Sequence, residues 1–521
     1  MEVLRWNGWG YIDTSFICDE NGDTSITKFM NQIKKLNIAY SIEGPDRLYR
    51  VHGMTLRELI TLREGTFERI PDIVTWPNCH DDVVKLVQLA SKLNVVLVPF
   101  GGGTNATRAL ECNGDEKRMI VSLDTSQMNR LLWVDKANLM ACCEAGIMGQ
   151  DLKAALMKHE VTIGHEPDSI EFSTMGGWVA TRASGMKKNQ YGNIEDLVVH
   201  VKFVTPSGVL ERSNLAPRVS CGPDLNHLAL GSEGTLGVVT EVTFKIRPVP
   251  EVEEFDSFVF PTFQHGVDFM REVARKRCQP ASLRFVDNEQ FKMGQLFKEK
   301  LTWVGSVIDS LKMFYVTKYK GIDLDTMCAA IAVMQLMWQY QNRKLQQLHP
   351  SSMVSVVVLR MENVDLLLSH SILGDSFETS LPWDRVALVC RNVKSLVNKK
   401  CQEFGIQYFL TTCRVTQVYD TGSCVYFYVV FNSEGVENAL QKYEAIENAA
   451  RAEILRCGGS LSHHHGVGKQ RNDLYPSQVS PVGVTVFRAV KQALDPNNVF
   501  ACGNILPQND DQMGHTISSN G

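Results

Sequence analysis

Val95-Val96-Leu97-Val98-Pro99-Phe100-Gly101-Gly102-Gly103-Thr104-Asn105 sets four apolar strand formers before a loop whose tip carries no side chains. Such a loop lets several backbone N–H groups converge on one anion. Downstream, Gly164-His165-Glu166-Pro167-Asp168-Ser169-Ile170-Glu171-Phe172-Ser173-Thr174-Met175-Gly176-Gly177-Trp178 is a second stretch rich in glycine and hydroxyls. Gly231-Ser232-Glu233-Gly234-Thr235-Leu236-Gly237-Val238-Val239 is a third. A glycine triplet alone is an ordinary surface turn. Three loops of this character are hard to explain as independent turns, and a pyrophosphate held among them implies a nucleotide cofactor that carries the chemistry. The spacing is not Gly-x-Gly-x-x-Gly before a long helix, and no Gly-Lys-Ser/Thr is present, so neither a Rossmann site nor a triphosphatase loop is indicated.

At 521 residues the chain exceeds one ordinary core, so two or three domains are expected. Hydrophobic content of 44% and charged content of 21% are those of a globular protein, and a net charge of −5 leaves no electrostatic footprint for nucleic acid. The 14 cysteines include no Cys-x-x-Cys pair, which argues against a disulfide framework and for a reducing compartment. No apolar run approaches the roughly 20 residues that span a bilayer. The first residues show no secretory apolar stretch, and Ile517-Ser518-Ser519-Asn520-Gly521 is not a peroxisomal tripeptide.

Residues 1–70 are charged and irregular apart from a helical patch at 25–36. Strands are expected at 73–76, 95–98, 119–123, 139–143, 197–204 and 237–246, with helices at 81–93 and 149–159. Asp81 or Asp82 can cap the first helix, whose stripe is Val83, Leu86, Val87, Ala90 and Leu93. Along 197–204, alternate residues face opposite ways, and Pro206-Ser207-Gly208 turns the chain back. Arg247-Pro248-Val249-Pro250 is the best domain boundary. Beyond it, 426–431 is strand-like, 435–456 is helical, and Gly458-Gly459-Ser460-Leu461-Ser462-His463-His464-His465-Gly466-Val467-Gly468-Lys469 follows. Three adjacent histidines point to different faces of any regular element, so they suit the lining of a phosphate or ring better than a metal chelate. Their flanking glycines suggest a mobile lid. No Gly-x-Ser-x-Gly elbow is present for serine hydrolysis.

Small residues between 167 and 182 allow close approach of the backbone to a planar ligand, and Ser173, Thr174, Thr181 and Ser184 offer hydroxyls to a ring edge and phosphates. Tyr426 is open to two readings, a packed strand aromatic or an acid–base group whose proton is loosened by nearby cations. Arg284 is open to two as well, a ligand-facing cation or an ion pair with Asp287.

The ordered set Pro-x-Gly-Gly-Gly-Thr, Gly-His-Glu-Pro-Asp-Ser with Gly-Gly-Trp, and Gly-Ser-Glu-Gly-Thr-Leu-Gly resembles the flavoproteins of the vanillyl-alcohol oxidase type. Glu64-Gly65-Thr66-Phe67-Glu68-Arg69-Ile70-Pro71-Asp72, Arg182-Ala183-Ser184-Gly185-Met186-Lys187-Lys188-Asn189, Pro382-Trp383-Asp384-Arg385, Thr412-Cys413-Arg414-Val415-Thr416-Gln417 and Ser462-His463-His464-His465-Gly466 narrow it to the alkyldihydroxyacetonephosphate synthase family. The resemblance runs from about residue 6 to 506. It implies an α+β protein: a two-subdomain FAD-binding module of the vanillyl-alcohol oxidase type with a separate α/β cap. The expected layout is an N-terminal region at 1–70 packing on the core, an FAD-binding domain at 71–250 and a cap at 251–440. A C-terminal helical region with the histidine loop at 441–507 and a disordered tail at 508–521 complete it.

The implied activity exchanges the acyl group of acyl-dihydroxyacetone phosphate for a long-chain fatty alcohol, a step of ether-lipid synthesis without net redox. FAD would be held by Pro99, Phe100, Gly101, Gly102, Gly103, Thr104 and Asn105, and by Asp168, Ser169, Ile170, Glu171, Phe172, Ser173 and Thr174. Thr181, Arg182, Ala183 and Ser184 would join them, as would Glu233, Gly234, Thr235, Leu236, Gly237, Val238 and Val239. Tyr426 would shuttle the substrate proton, Arg284 would be the activity-critical arginine, and His463, His464 and His465 would line the site. No metal is implied. A homodimer in the peroxisome is, and the resemblance is compatible with peripheral association with a membrane. Two other readings stand beside it, an FAD-dependent 2-hydroxy-acid oxidoreductase and an inactive flavin-binding isoform.

The last has a motive. Residues 328–370 do not resemble the family, while Lys318-Tyr319-Lys320-Gly321 before them and Gly374-Asp375-Ser376-Phe377-Glu378-Thr379 after them do. A shifted reading frame produces such a pattern. The family's phosphate-binding arginine falls within it, and neither Arg343 nor Arg360 sits in the matching motif.

Overall fold

A computed structural model of the chain describes residues 24–65, 67–296, 314–336 and 367–506. The expected tail at 508–521 and residues 337–366 of the atypical segment lie outside the described residues. The chain divides into two compact units, one drawn from Met1–Ser184, Asn193–Arg247 and His464–Gly521, the other from Gly185–Gly192 and Pro248–His463.

In the first unit, β1 (Ala39–Ser41), β2 (Ile73–Trp76), β3 (Val96–Phe100) and β4 (Ile120–Asp124) form a sheet in the order β1-β2-β4-β3. β2, β4 and β3 are parallel, and β1 runs antiparallel on β2. The helix His80–Leu93 connects β2 to β3, as a parallel pair requires, and buries Val83, Leu86, Val87 and Ala90. Its cap differs from the expectation. Cys79 occupies the N-cap without a side-chain bond, and Asp82 accepts from the Asn78 N–H at 3.1 Å. Both aspartates sit inside the first turn, where they offset the helix dipole.

The described part of the N-terminal region carries the helices Thr24–Lys35, Gly44–Tyr49 and Leu56–Glu64. The helix Thr24–Lys35 sends Phe29 and Ile33, four residues apart, into the core shared with Val83 and Leu86. The helix Leu56–Glu64 opens with a Thr55–Glu58 capping box and closes at Gly65 with φ 69°. The helix Thr24–Lys35 matches the helical patch expected at 25–36, and the helix Leu56–Glu64 shows only a narrow apolar stripe among charged residues.

β5 (Leu131–Asp135), β6 (Met140–Glu144), β8 (Val198–Thr205), β9 (Gly208–Leu210) and β10 (Val238–Lys245) form a second sheet, β5-β6-β10-β8-β9, with β7 (Val161–Thr162) apart from it. Trp178 and Val179 of the helix Met175–Thr181 pack on Val201, Phe203, Val242 and Phe244. β8 buries both faces, because Val204 enters the core of the first sheet. Val201 and Phe203 face the second sheet's core and Val204 the first's, so the alternation expected there holds with both faces covered.

The division between units falls at Arg247 and Pro248, which form the short β11. The second unit is built on an antiparallel sheet of β12 (Val252–Phe260), β13 (Ser282–Val286), β14 (Cys328–Leu336), β15 (Ile372–Pro382), β16 (Phe409–Val418) and β17 (Gly422–Asn432). Their order is β12-β14-β13-β16-β17-β15. The helix Val386–Glu403 buries Val386, Val389, Val393 and Val397 along one stripe. The helix Phe263–Arg275 presses Gly266 onto the Phe285 ring, where any Cβ would collide. Arg451 and Glu447 of the helix Ala439–Arg456 form a buried pair at 2.7 Å, and Arg451 also donates to Leu461 O.

The atypical segment opens within this sheet. Cys328–Leu336 pairs with β12 from Val252 to Phe260 and with β13 from Ser282 to Val286. Its small apolar residues Ala329, Ala330 and Ala332 are buried. Residues 328–336 therefore belong to the cap sheet, despite their unfamiliar sequence.

Candidate active site

The glycine loop after β3 meets the second and third loops of the first unit. A Cβ on Gly101 would lie 2.6 Å from Thr174 Oγ1, and one on Gly102 would overlap Phe172 O. Gly234 approaches Pro99 so closely that its Cβ would be 3.3 Å from Pro99 Cδ. Gly103 has φ 68°, a conformation that L side chains rarely adopt. The three loops singled out in the sequence thus form one cradle. Gly102→Ala is expected to push the loop off Phe172 and reduce FAD retained through gel filtration at least tenfold, while Ser126→Ala, on a half-buried turn, retains it. Full flavin content in the Gly102 variant would contradict this packing.

Most of the hydroxyls expected at a ligand are turned inward. Ser173 Oγ donates to Ser169 O at 2.8 Å and accepts from Trp178 Nε1. Thr181 Oγ1 bonds Gly177 O, and Ser184 Oγ donates to Asn193 Oδ1 at 2.6 Å. Thr174 caps its helix by accepting from Gly177 N–H. Short hydroxyl side chains find backbone partners nearby, and that competition decides their direction. The buried polar atoms without a hydrogen-bond partner among the described residues include Asn105 Nδ2 and both ring nitrogens of His165. Unpaired buried polar atoms are rare in folded chains and call for a ligand. With the side-chain-free tip at 101–103, they fit a nucleotide cofactor.

His165 stands edge-on to Trp178 at 4.8 Å and is 1% exposed. Burial, and secondarily His464, push its pKa down to about 3. The unfolded ring titrates near 6.5, so the unfolded chain binds the extra proton first as pH falls. Stability is then complete above about 6.5 and declines toward about 3. Between pH 7 and 5 this one group is expected to cost about 2 kcal/mol. Urea unfolding of the holoprotein should show that His165→Gln has a correspondingly flatter pH dependence. Equal slopes for both proteins would contradict a neutral buried ring.

The segment that follows the three histidines is held by many hydrogen bonds. Glu233 accepts from the N–H groups of Val467 at 2.7 Å and Gly468 at 2.6 Å. Lys469 and Gln470 donate their N–H groups to Thr107 O. Lys469 Nζ, deeply buried and with its pKa lowered by that burial, binds Arg108 O, Ala109 O and Asn504 Oδ1. Arg471 bonds Gly466 O and Ala106 O. Gly468 is needed because a side chain would strike Thr107 O, not to provide a hinge. Glu233 itself holds φ 48°, a strained backbone for a residue with a Cβ. Burial raises its pKa against the opposing N–H bonds. Its carboxylate is spent on the loop, a different use from the cofactor contact expected of it. His464 and His465 meet edge-to-face at 4.7 Å.

In the second unit, one face of the six-stranded sheet is polar. Glu378, Tyr426 and Arg414 are direct partners across β15, β17 and β16. Val286 of β13 lies opposite Arg414, so Arg284, two residues away, shares that face. The register therefore sets Arg284 and Tyr426 on one surface. Asp287 points to the other face, where it binds Lys394 Nζ at 2.6 Å and the Cys413 N–H at 3.0 Å. Tyr426 is 6% exposed and clusters with Cys424 and Tyr428. Both of its readings meet here, since it is packed and also stands beside a cation.

Glu378 receives the Ser462 hydroxyl at 2.7 Å and the His463 N–H. His463 Nε2 lies 2.5 Å from Tyr419 OH, and Lys188 sits 3.3 Å over the Tyr419 ring. Lys188 belongs to the 185–192 excursion, which Tyr191 OH also ties to Gln335 at 2.9 Å. Glu378, Arg414 and Lys469 had drawn no role from the sequence. Polar residues at alternate positions 412, 414 and 416 were a visible sign of a polar sheet face.

Comparison with known proteins fits both units. The FAD binding domain family matches residues 71–214, and the family of FAD linked oxidases, C-terminal domain, matches 249–505. The alkyldihydroxyacetonephosphate synthase of Caenorhabditis elegans is 44% identical, with 97% of this chain and 95% of that protein covered. That of Dictyostelium discoideum is 32% identical over 92% of this chain and 81% of its own. A solved alkyldihydroxyacetonephosphate synthase structure superposes with a TM-score of 0.75 at 29% identity, covering 91% of this chain and 84% of that one. A p-cresol methylhydroxylase structure shares the fold at a TM-score of 0.66 and 15% identity. The α+β fold is that of the vanillyl-alcohol oxidase type, and the cofactor is FAD. The chain belongs to the alkyldihydroxyacetonephosphate synthase family.

Proposed function

We propose that the chain exchanges the fatty acyl group of acyl-dihydroxyacetone phosphate for a long-chain alcohol, giving the alkyl ether and a free fatty acid. The bond between C1 and the acyloxy oxygen breaks, and a bond between C1 and the alcohol oxygen forms. The fatty acid leaves as carboxylate, and the alcohol gives up its proton, so no electrons are gained or lost overall. FAD supplies the centre at which one group is released and the other accepted.

The chain's own residues divide the remaining work. The cradle at 99–105, 168–174, 181–184 and 233–239 holds the cofactor, with Asn105 Nδ2 and His165 as polar contacts. Tyr426 holds and returns the substrate proton at its phenolic oxygen. Arg284, on the same sheet face, attracts the anionic substrate, and His463, His464 and His465 line the site. The observation that carries this reading is the buried polar sheet face centred on Tyr426, in a chain of the synthase family. Tyrosine in such a setting serves acid–base chemistry. By the same reading the chain acts as a peroxisomal homodimer with peripheral access to a membrane, where both long-chain substrates partition.

The flavin spectrum tests the proposal. Acyl-dihydroxyacetone phosphate added without any electron acceptor is expected to change the visible band. An unchanged band, with bleaching by a 2-hydroxy acid instead, would favour an oxidoreductase.

A further inference from the structure

Arg414 lies at the centre of the polar face. It is 1% exposed, and its guanidinium carbon sits 4.7 Å from the Tyr426 ring centroid and 5.1 Å from that of Tyr428. The two tyrosine rings are themselves nearly parallel, 16° apart at 6.2 Å. A guanidinium against an aromatic face is held by the ring quadrupole, as an ammonium would be, and also by its planar shape, which an ammonium lacks. The strand register leaves little freedom. Arg414 is the direct β16 partner of Tyr426, and Glu378 is its direct β15 partner. Tyr426 is thus flanked by a fixed cation on one side and a fixed anion on the other.

We infer that Arg414 is the positioning residue for Tyr426: its stacked guanidinium orients the phenol and stabilises the phenolate that receives the substrate proton. Glu378 opposes this charge and tethers the face to the Ser462–His463 turn, which prevents the phenol from remaining ionised throughout the cycle. The inference rests on the acid–base role proposed for Tyr426. A fixed charge within about 6 Å is close enough to move the balance between phenol and phenolate substantially. Among the described residues, Tyr428 and Cys424 of β17, Arg284 of β13, and His463 on the turn held by Glu378 are further charged or titratable groups on or beside this face. Among the described residues, Glu378 and Arg414 are the direct register partners of Tyr426, so they set the sign of the local field.

The test is the pH dependence of kcat in the holoenzyme, with a labelled alcohol as the second substrate. Arg414→Gln is expected to lower kcat up to about 10-fold at neutral pH, to shift the rising limb upward by about one pH unit, and to recover most of the rate at high pH. KM for acyl-dihydroxyacetone phosphate should stay within about threefold. Arg414→Lys should keep the limb near its original position. Glu378→Gln should move it the opposite way, and this variant decides the matter if Arg414→Gln does not fold as a flavoprotein. An unmoved limb in the folded variant overturns the inference. So does a rise of KM with unchanged kcat, which would make Arg414 a phosphate ligand. If Tyr426→Phe retains its rate, the acid–base reading itself falls. If Tyr426→Phe is inactive while the Arg414 limb stays fixed, only the present inference falls.

Discussion

Replacing Tyr426 by Phe is expected to lower turnover by about 10²- to 10⁴-fold, the range that a positioned acid–base group contributes. The ring packs among Cys424, Tyr428 and the Arg414 guanidinium, and phenylalanine keeps every one of those contacts except the hydroxyl's own. Stability and flavin content should therefore change little, and KM should remain within a few-fold. That separation matters, because Tyr426 is also a buried core aromatic. Steady-state kinetics beside a thermal melt and a flavin titre would distinguish the two roles. Loss of activity with loss of fold would leave only packing, and normal turnover would remove Tyr426 from the reaction.

The second large effect is expected at Glu233. Truncation to alanine leaves the N–H groups of Val467 and Gly468 buried without their acceptor, and leaves nearby Lys469 and Arg471 short of a counter-charge. Each orphaned donor costs about 1–3 kcal/mol, and breaking a buried charged interaction about 3–5 kcal/mol. A loss of about 3–5 kcal/mol in unfolding free energy is predicted, with release of the histidine loop and weaker flavin retention. Glu233→Gln, which keeps one acceptor oxygen, should lose about half as much. Chemical denaturation and flavin release measure both. An alanine variant within 0.5 kcal/mol of the parent, on the order of an uninvolved surface site, would show that the loop stands without this anchor.

These two positions show what the sequence conveys. Pro99 to Asn105 could be read locally, since a strand running into three glycines is a local signal. Their meeting with Thr174 and Gly234 followed from the shared character of the loops. Tyr426 and Arg284 were legible through resemblance alone, and only the strand register brings them to one face. The anchoring bonds of Glu233 were not legible for a physical reason. Its partners lie more than two hundred residues along the chain, and nothing in Gly-Ser-Glu-Gly-Thr shows that a carboxylate there faces a distant loop. The glycines at 466 and 468 suggested motion because flexibility and close packing make the same demand on sequence. The excursion 185–192 was hidden as well, since its ties to Gln335 and Val418 are all long-range. Cys328–Leu336 looked foreign by identity, yet its short apolar residues meet what an interior strand requires.

Incorporation of a labelled long-chain alcohol by the purified protein, under anaerobic conditions and with acyl-dihydroxyacetone phosphate as the only other substrate, tests the central claim most directly. One labelled ether product for each fatty acid released, with no acceptor reduced, is the predicted result. Fatty acid release without label, or flavin reduction by a 2-hydroxy acid in place of exchange, would contradict it.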